Sequence, residues 1–96
     1  MVDVEIEWDE IKRFANLRKH GYDLAEAGMV FETPYLIDLD LRRDYGEDRW
    51  IVLGYLKGDL VVLVYTDRGE KARIISLRKA TLKERRIYEK RITYRL

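Results

Sequence analysis

Cysteine is absent from the chain, and histidine and proline occur once each, as His20 and Pro34. Without cysteine there are no disulfides, no thiolate metal sites and no cysteine nucleophile. A single histidine excludes any multi-histidine metal centre. No Walker loop, GxGxxG run, HExxH helix or EF-hand loop occurs, so the common nucleotide and metal signatures are missing. Long apolar runs are missing too: the longest, Leu60–Tyr65, is far short of a membrane span. The start, Met1–Glu5, is acidic and lacks the apolar stretch of a signal peptide. These absences predict a soluble, cytoplasmic protein that uses no metal and no cofactor. Low-complexity segments and internal repeats are also absent, so nothing points to disorder.

What is present is an ordinary globular composition. The 96 residues are 47% apolar, which suits one domain around one modest core. The net charge of +1 hides an asymmetry. Residues 1–70 carry nine basic and sixteen acidic side chains, a balance of −7, whereas residues 71–96 carry ten basic and two acidic, a balance of +8. Such segregation points either to an anionic partner for the basic end or to a solvated basic helix.

Alternation of apolar and acidic residues over Val4–Trp8 predicts a strand with one buried face. Asp9 is placed to cap a helix over Glu10–His20, in which Ile11, Phe14, Ala15 and Leu17 follow at helical spacing. Gly21 stands at the position of a left-handed helix end, with Lys19 and His20 complementing the dipole. Asp23 and Glu26 have the spacing of a capping box for a short second helix, Leu24–Phe31, which must stop before Thr33-Pro34. Tyr35–Leu41 alternates as a strand, and Arg42–Asp48 is a charged loop. Arg49–Leu56, Asp59–Tyr65 and Lys71–Leu77 are strand-like, separated by turns at Lys57-Gly58 and around Gly69, and predict an antiparallel meander. Thr81 and Glu84 form a capping box opening a basic helix to about Lys90. Residues 91–96 fit either an extended or a frayed end. Trp8 and Trp50 suit core positions. The order β-α-α-β-β-β-β-α is an α+β layout.

Chemistry without a metal narrows the candidates. A two-metal nuclease would use carboxylates such as Asp38, Asp40, Asp44, Glu47 and Asp48, but acidic loops are far commoner than metal centres. Ser76 has no elbow motif around it. There remain arginines, lysines and tyrosines near the C-terminal strand and helix: Arg73, Arg78, Lys79, Arg85, Arg86 and Tyr88. Such residues suit RNA cleavage in which the ribose 2′-hydroxyl attacks its own phosphate. Guanidinium groups stabilise the charge that develops, and a Tyr, Lys or His moves protons. Strand alternation places Arg73 and Arg78 on opposite faces, so both cannot line one flat site unless the strand twists or ends between them. Ion pairing with Glu70 or Asp67 is an equally ordinary use of either arginine.

Two blocks carry a resemblance. Trp8-Asp9-Glu10, Asn16-Leu17-Arg18-Lys19-His20-Gly21, Ala25-Glu26-Ala27 and Val30-Phe31 form the first. Arg73 to Thr81, with Glu84-Arg85-Arg86 and Tyr88-Glu89, forms the second. With Arg49 and Gly54 between them, they resemble the BrnT toxin family over about Trp8–Glu89. Leu77 departs from the small residue usual there. The resemblance implies a RelE-like fold and an RNA-cleaving toxin of a type II toxin-antitoxin system that blocks translation. It further implies neutralisation by a BrnA-like ribbon-helix-helix antitoxin, with promoter DNA bound only through the complex. On matching positions it makes Lys19, His20, Arg49, Arg73, Arg78, Lys79 and Tyr88 candidate catalytic residues, with Arg85 and Arg86 for RNA binding. The competing expectation is a non-catalytic toxin-like protein that binds RNA or only a partner. A DNA-binding domain is weaker, because no helix-turn-helix pattern with a basic second helix occurs.

Overall fold

The computed structural model describes residues 5–95, so Val4 of the expected first strand and Leu96 lie outside the described residues. β1 is Ile6–Glu7, followed by α1 (Glu10–His20) and a 3₁₀ helix (Leu24–Glu32). Four strands come next, β2 (Leu36–Leu39), β3 (Trp50–Leu56), β4 (Asp59–Arg68) and β5 (Lys71–Lys79), and α2 (Leu82–Arg95) ends the chain. The fold is α+β. Its five strands lie in the order β1-β5-β4-β3-β2.

Two expectations are corrected. The sheet is mixed rather than purely antiparallel, because β1 joins β5 in parallel through Ile6–Ala72 and Glu7–Arg73. The second helix is 3₁₀, not α. Its apolar residues Leu24, Ala27 and Val30 recur every third position and are all fully buried, the period a three-residue turn presents to a core. Asp23 caps it by accepting from Ala25 N. Glu26 does not complete a capping box but pairs with Lys57 in the β3–β4 turn. Gly54 lets this helix lie on the sheet, since a Cβ there would fall 2.7 Å from Val30 Cγ1.

The main core fills the space between the 3₁₀ helix and one sheet face, with Val52, Leu56, Val61, Leu63, Ile74 and Leu77. A smaller core lies on the opposite face, where Tyr88 of α2 packs with Leu36 and Leu60. α2 continues to Arg95, so residues 91–95 are helical. Arg91 ties this helix to β2 through a two-pronged pair with Asp38. Because α2 covers that face only around Leu36, Leu53, Tyr55 and Leu60, the rest of it stays open.

Apolar residues at helical spacing usually mark the face a helix buries. α1 does the reverse. Its buried residue is Asn16, 7% exposed, whereas Ile11, Phe14 and Leu17 are 80%, 60% and 42% exposed. Asn16 explains the orientation. Its side-chain amide donates to Leu77 O at 2.9 Å and accepts from Leu77 N at 3.2 Å, completing the β5 edge beyond the end of β1. It also donates to Tyr22 O. Asn16→Ala would strand both groups of Leu77 at a buried edge. The expected loss of stability is about 2–4 kcal/mol, read from urea melts. A loss under about 0.5 kcal/mol, the usual range for surface changes, would rule out this role.

Candidate active site

The open part of the α2-side face is a cleft of about 420 Å³. Ile51, Val62, Val64 and Ser76 from β3, β4 and β5 line it together with Arg78. Lys19 and His20 enter from the end of α1, Arg42 from the β2–β3 loop and Glu84 from the first turn of α2. The helix end is fixed in place by Gly21, whose left-handed backbone (φ 80°) returns its N–H to Leu17 O.

Expected alternation along β5 fails at one point. Val64 pairs with Ser76 and the adjacent Tyr65 with Ile74, so Ile75 is an extra residue and β5 bulges there. Arg73 and Arg78 pair with Thr66 and Val62 of the unbroken β4, and residues four apart on a strand share a face. Both arginines therefore share the cleft's face, against the expectation of opposite faces. They still do not meet. Four strand positions separate them by roughly 13 Å, and Arg73 pairs with Glu7 at 2.8 Å outside the cleft.

Arg78 is held by Glu84 through two parallel hydrogen bonds, both 2.8 Å. Glu84 is also the capping-box residue of α2, accepting from Thr81 N while its own N–H donates to Thr81 Oγ1. The guanidinium and the Thr81 N–H hold its carboxyl down to about 2. Across the cleft, Arg42 is set by Asp40, whose side chain is completely buried. Asp40 accepts from Arg42 Nε, Arg42 Nη2 and Tyr45 Oη, and this pairing holds it well below the usual carboxylate range. Each arginine thus commits two nitrogens to a carboxylate. Among the described residues, Nη1 of Arg42 and Nε of Arg78 have no partner and are left for a ligand.

His20 sits among these cations. Burial lowers its pKa below the ordinary 6.5, and the charges of Lys19 and Arg78 lower it further. The imidazole is therefore neutral at pH 7 and can accept a proton. Three cations face one carboxylate over an apolar floor, an arrangement suited to an anionic ligand.

Of the residues expected at a site, the cleft unites Lys19, His20 and Arg78. Lys79 follows Arg78 but pairs with Val61, placing it on the opposite sheet face. Arg49 stacks 4.1 Å over the Tyr45 ring and lies 3.7 Å from Glu47. Tyr88 is buried in the smaller core, donating to Pro34 O at 2.7 Å and stacking edge-on with Tyr55. Arg85 and Arg86 lie on α2 and do not line the cleft. Arg42 and Glu84 were not singled out from the sequence. The Glu84 capping spacing was visible, but its second partner, six residues earlier across the strand–helix junction, was not. The acidic residues considered for metals are dispersed: Asp38 on Arg91, Asp40 on Arg42, Asp44 on Gly46 N and Glu47 near Arg68. Among the described residues no three His, Asp or Glu side chains are grouped to hold a metal, and no helix is long and apolar enough to cross a membrane.

No curated protein matches the chain. One family does match, described as "Ribonuclease toxin, BrnT, of type II toxin-antitoxin system", over residues 8–84. That span takes in α1 to β5, both capping residues of α2 and every lining residue of the cleft. With most of its length matched, the chain belongs to the BrnT family of ribonuclease toxins.

Proposed function

We propose that this chain is an active, metal-independent RNA endonuclease and that the Lys19–His20–Arg42–Arg78 cleft is where it cleaves. The observation that carries the reading is the convergence of a neutral imidazole with three cations in one cleft. His20 takes the proton of the ribose 2′-hydroxyl, and the 2′-oxygen attacks the adjacent phosphorus. Arg42 and Arg78 stabilise the charge gathering on the phosphoryl oxygens through their uncommitted nitrogens. The P–O5′ bond breaks, and Lys19 is placed to give a proton to the departing oxygen. The products are a 2′,3′-cyclic phosphate and a 5′-hydroxyl. Arg49, Arg73, Lys79, Arg85 and Arg86 then contribute to RNA docking rather than to the reacting centre, and Tyr88 supports α2. The chain works as one cytoplasmic RelE-like domain that blocks translation, under a BrnA-like ribbon-helix-helix antitoxin through which promoter DNA is bound.

One observation favours a second reading. Glu84 neutralises Arg78 and Asp40 neutralises Arg42, as in a protein that binds a partner without cleaving RNA. A single assay separates the two. With a labelled single-stranded RNA in excess EDTA, cleavage leaving a 2′,3′-cyclic phosphate or the derived 3′-phosphate is expected. Activity lost in EDTA and restored by magnesium or manganese would refute the metal-free chemistry. No cleavage under any condition, with RNA still bound, would establish the non-catalytic reading.

A further inference from the structure

The outward face of α1 has no role in the cleft or in either core. Asn16 points into the protein, so the opposite side of the helix presents Ile11, Phe14 and Arg18, with Leu17 at its margin. Leaving two large apolar side chains at 80% and 60% exposure on a helix with an available core face is unusual for a surface that stays in water. The border of this patch that faces the cleft is basic. Lys12, Arg18 and Lys19 form no ion pairs among the described residues, and the acid on the helix, Glu10, is already engaged by Arg13 and Trp8. Lys12 and Lys19, seven residues apart, also border a shallower hollow with Ala15, Asn16, His20 and Ile75 that leads toward the cleft.

We infer that this face of α1 is the docking site of the antitoxin, which covers Ile11 and Phe14 with the apolar side of an amphipathic helix and brings carboxylates to Arg18 and Lys12. The inference rests on the reading of the chain as a toxin held by an antitoxin. The charge pattern selects the occupant. A second copy of this chain would bring the same basic rim against itself, and like charges across an interface oppose association. A carboxylate-flanked helix meets both the apolar centre and the cationic border. Lys19 and His20 follow on the same helix, so a partner seated there stands beside the cleft entrance and bars RNA by position and by charge.

The test uses the chain co-expressed with its antitoxin. Ile11→Glu/Phe14→Glu places carboxylates where the partner's apolar side would sit. Antitoxin affinity is expected to fall roughly 100-fold or more, while RNA cleavage by the free variant stays within about twofold of the parent, since neither side chain touches the cleft. Arg18→Glu leaves the apolar patch intact and cannot be attributed to misfolding. It is expected to weaken binding about tenfold and flatten its salt dependence. Parental antitoxin affinity in both variants overturns the site while leaving the toxin reading intact. A parent chain that does not bind the antitoxin overturns both. A free chain that sediments as a dimer and becomes monomeric on Ile11→Glu/Phe14→Glu shows a second copy on the face and overturns the assignment.

Discussion

Arg78→Ala is expected to slow RNA cleavage by roughly 30–1,000-fold, the range for removing one preorganised donor from a developing oxyanion. The strand fixes the Arg78 backbone, and Glu84 fixes the fork, so little reorganisation accompanies phosphate binding. Arg78→Lys should recover only part of the rate, because an ammonium cannot bond Glu84 in two places and still reach a phosphate. The same pair complicates the experiment. Removing Arg78 leaves a partly buried carboxylate at the start of α2, with an expected stability cost of about 1–2 kcal/mol. Glu84→Gln is the control. It keeps the Thr81 cap in shape and weakens the clamp, so it reports the loosening while retaining the guanidinium. If Arg78→Ala falls no further than Glu84→Gln, the arginine is structural. A cleavage time course beside a thermal melt of each variant decides between them.

The parts of this fold legible in the sequence are those set by local rules. α1 begins and ends at the expected residues because Asp9 accepts from Lys12 N and Gly21 takes the left-handed turn. The β3–β4 hairpin follows from Lys57-Gly58, both at positive φ. What local rules could not supply was set by pairing. The parallel partner of β1 is sixty-six residues away in the chain. The bulge at Ile75, which moves Arg73 and Arg78 to one face, exists only in the register between β4 and β5. The spacing of Ile11, Phe14 and Leu17 shows α1 as a helix but not what covers its apolar face. The proposed site was half legible. Lys19, His20 and Arg78 carry their chemistry in their side chains. Arg42 is made a site residue by a buried aspartate whose burial the sequence does not state.

His20→Gln is expected to lower kcat/KM by about 10²–10⁴-fold, the usual contribution of a positioned base. Glutamine keeps the size and a hydrogen-bonding end, so the cleft stays hydrated and shaped while the proton acceptor is lost. The pH profile isolates this role. The base must be neutral, so activity rises with pH through the His20 pKa and levels off above it. Burial, Lys19 and Arg78 hold that pKa below 6.5, which puts the acid limb below 6.5. In His20→Gln the limb should vanish along with the rate. Removing a neighbouring cation has the opposite signature. Lys19→Ala takes away a charge that disfavours the imidazolium, so the limb moves to higher pH while the plateau falls by a smaller factor. The measurement is kcat/KM on one RNA from pH 4.5 to 8.5, with circular dichroism at each pH to show that the fold stays intact, since Glu84 and Asp40 remain ionised across this window. Their depressed pKa values make their contribution to stability complete above the ordinary carboxylate range and lost as pH falls below it. A His20→Gln variant that keeps the parental rate and the parental acid limb would remove His20 from the chemistry. Proton transfer would then pass to Lys19 or to solvent, with the arginines as the principal catalytic groups.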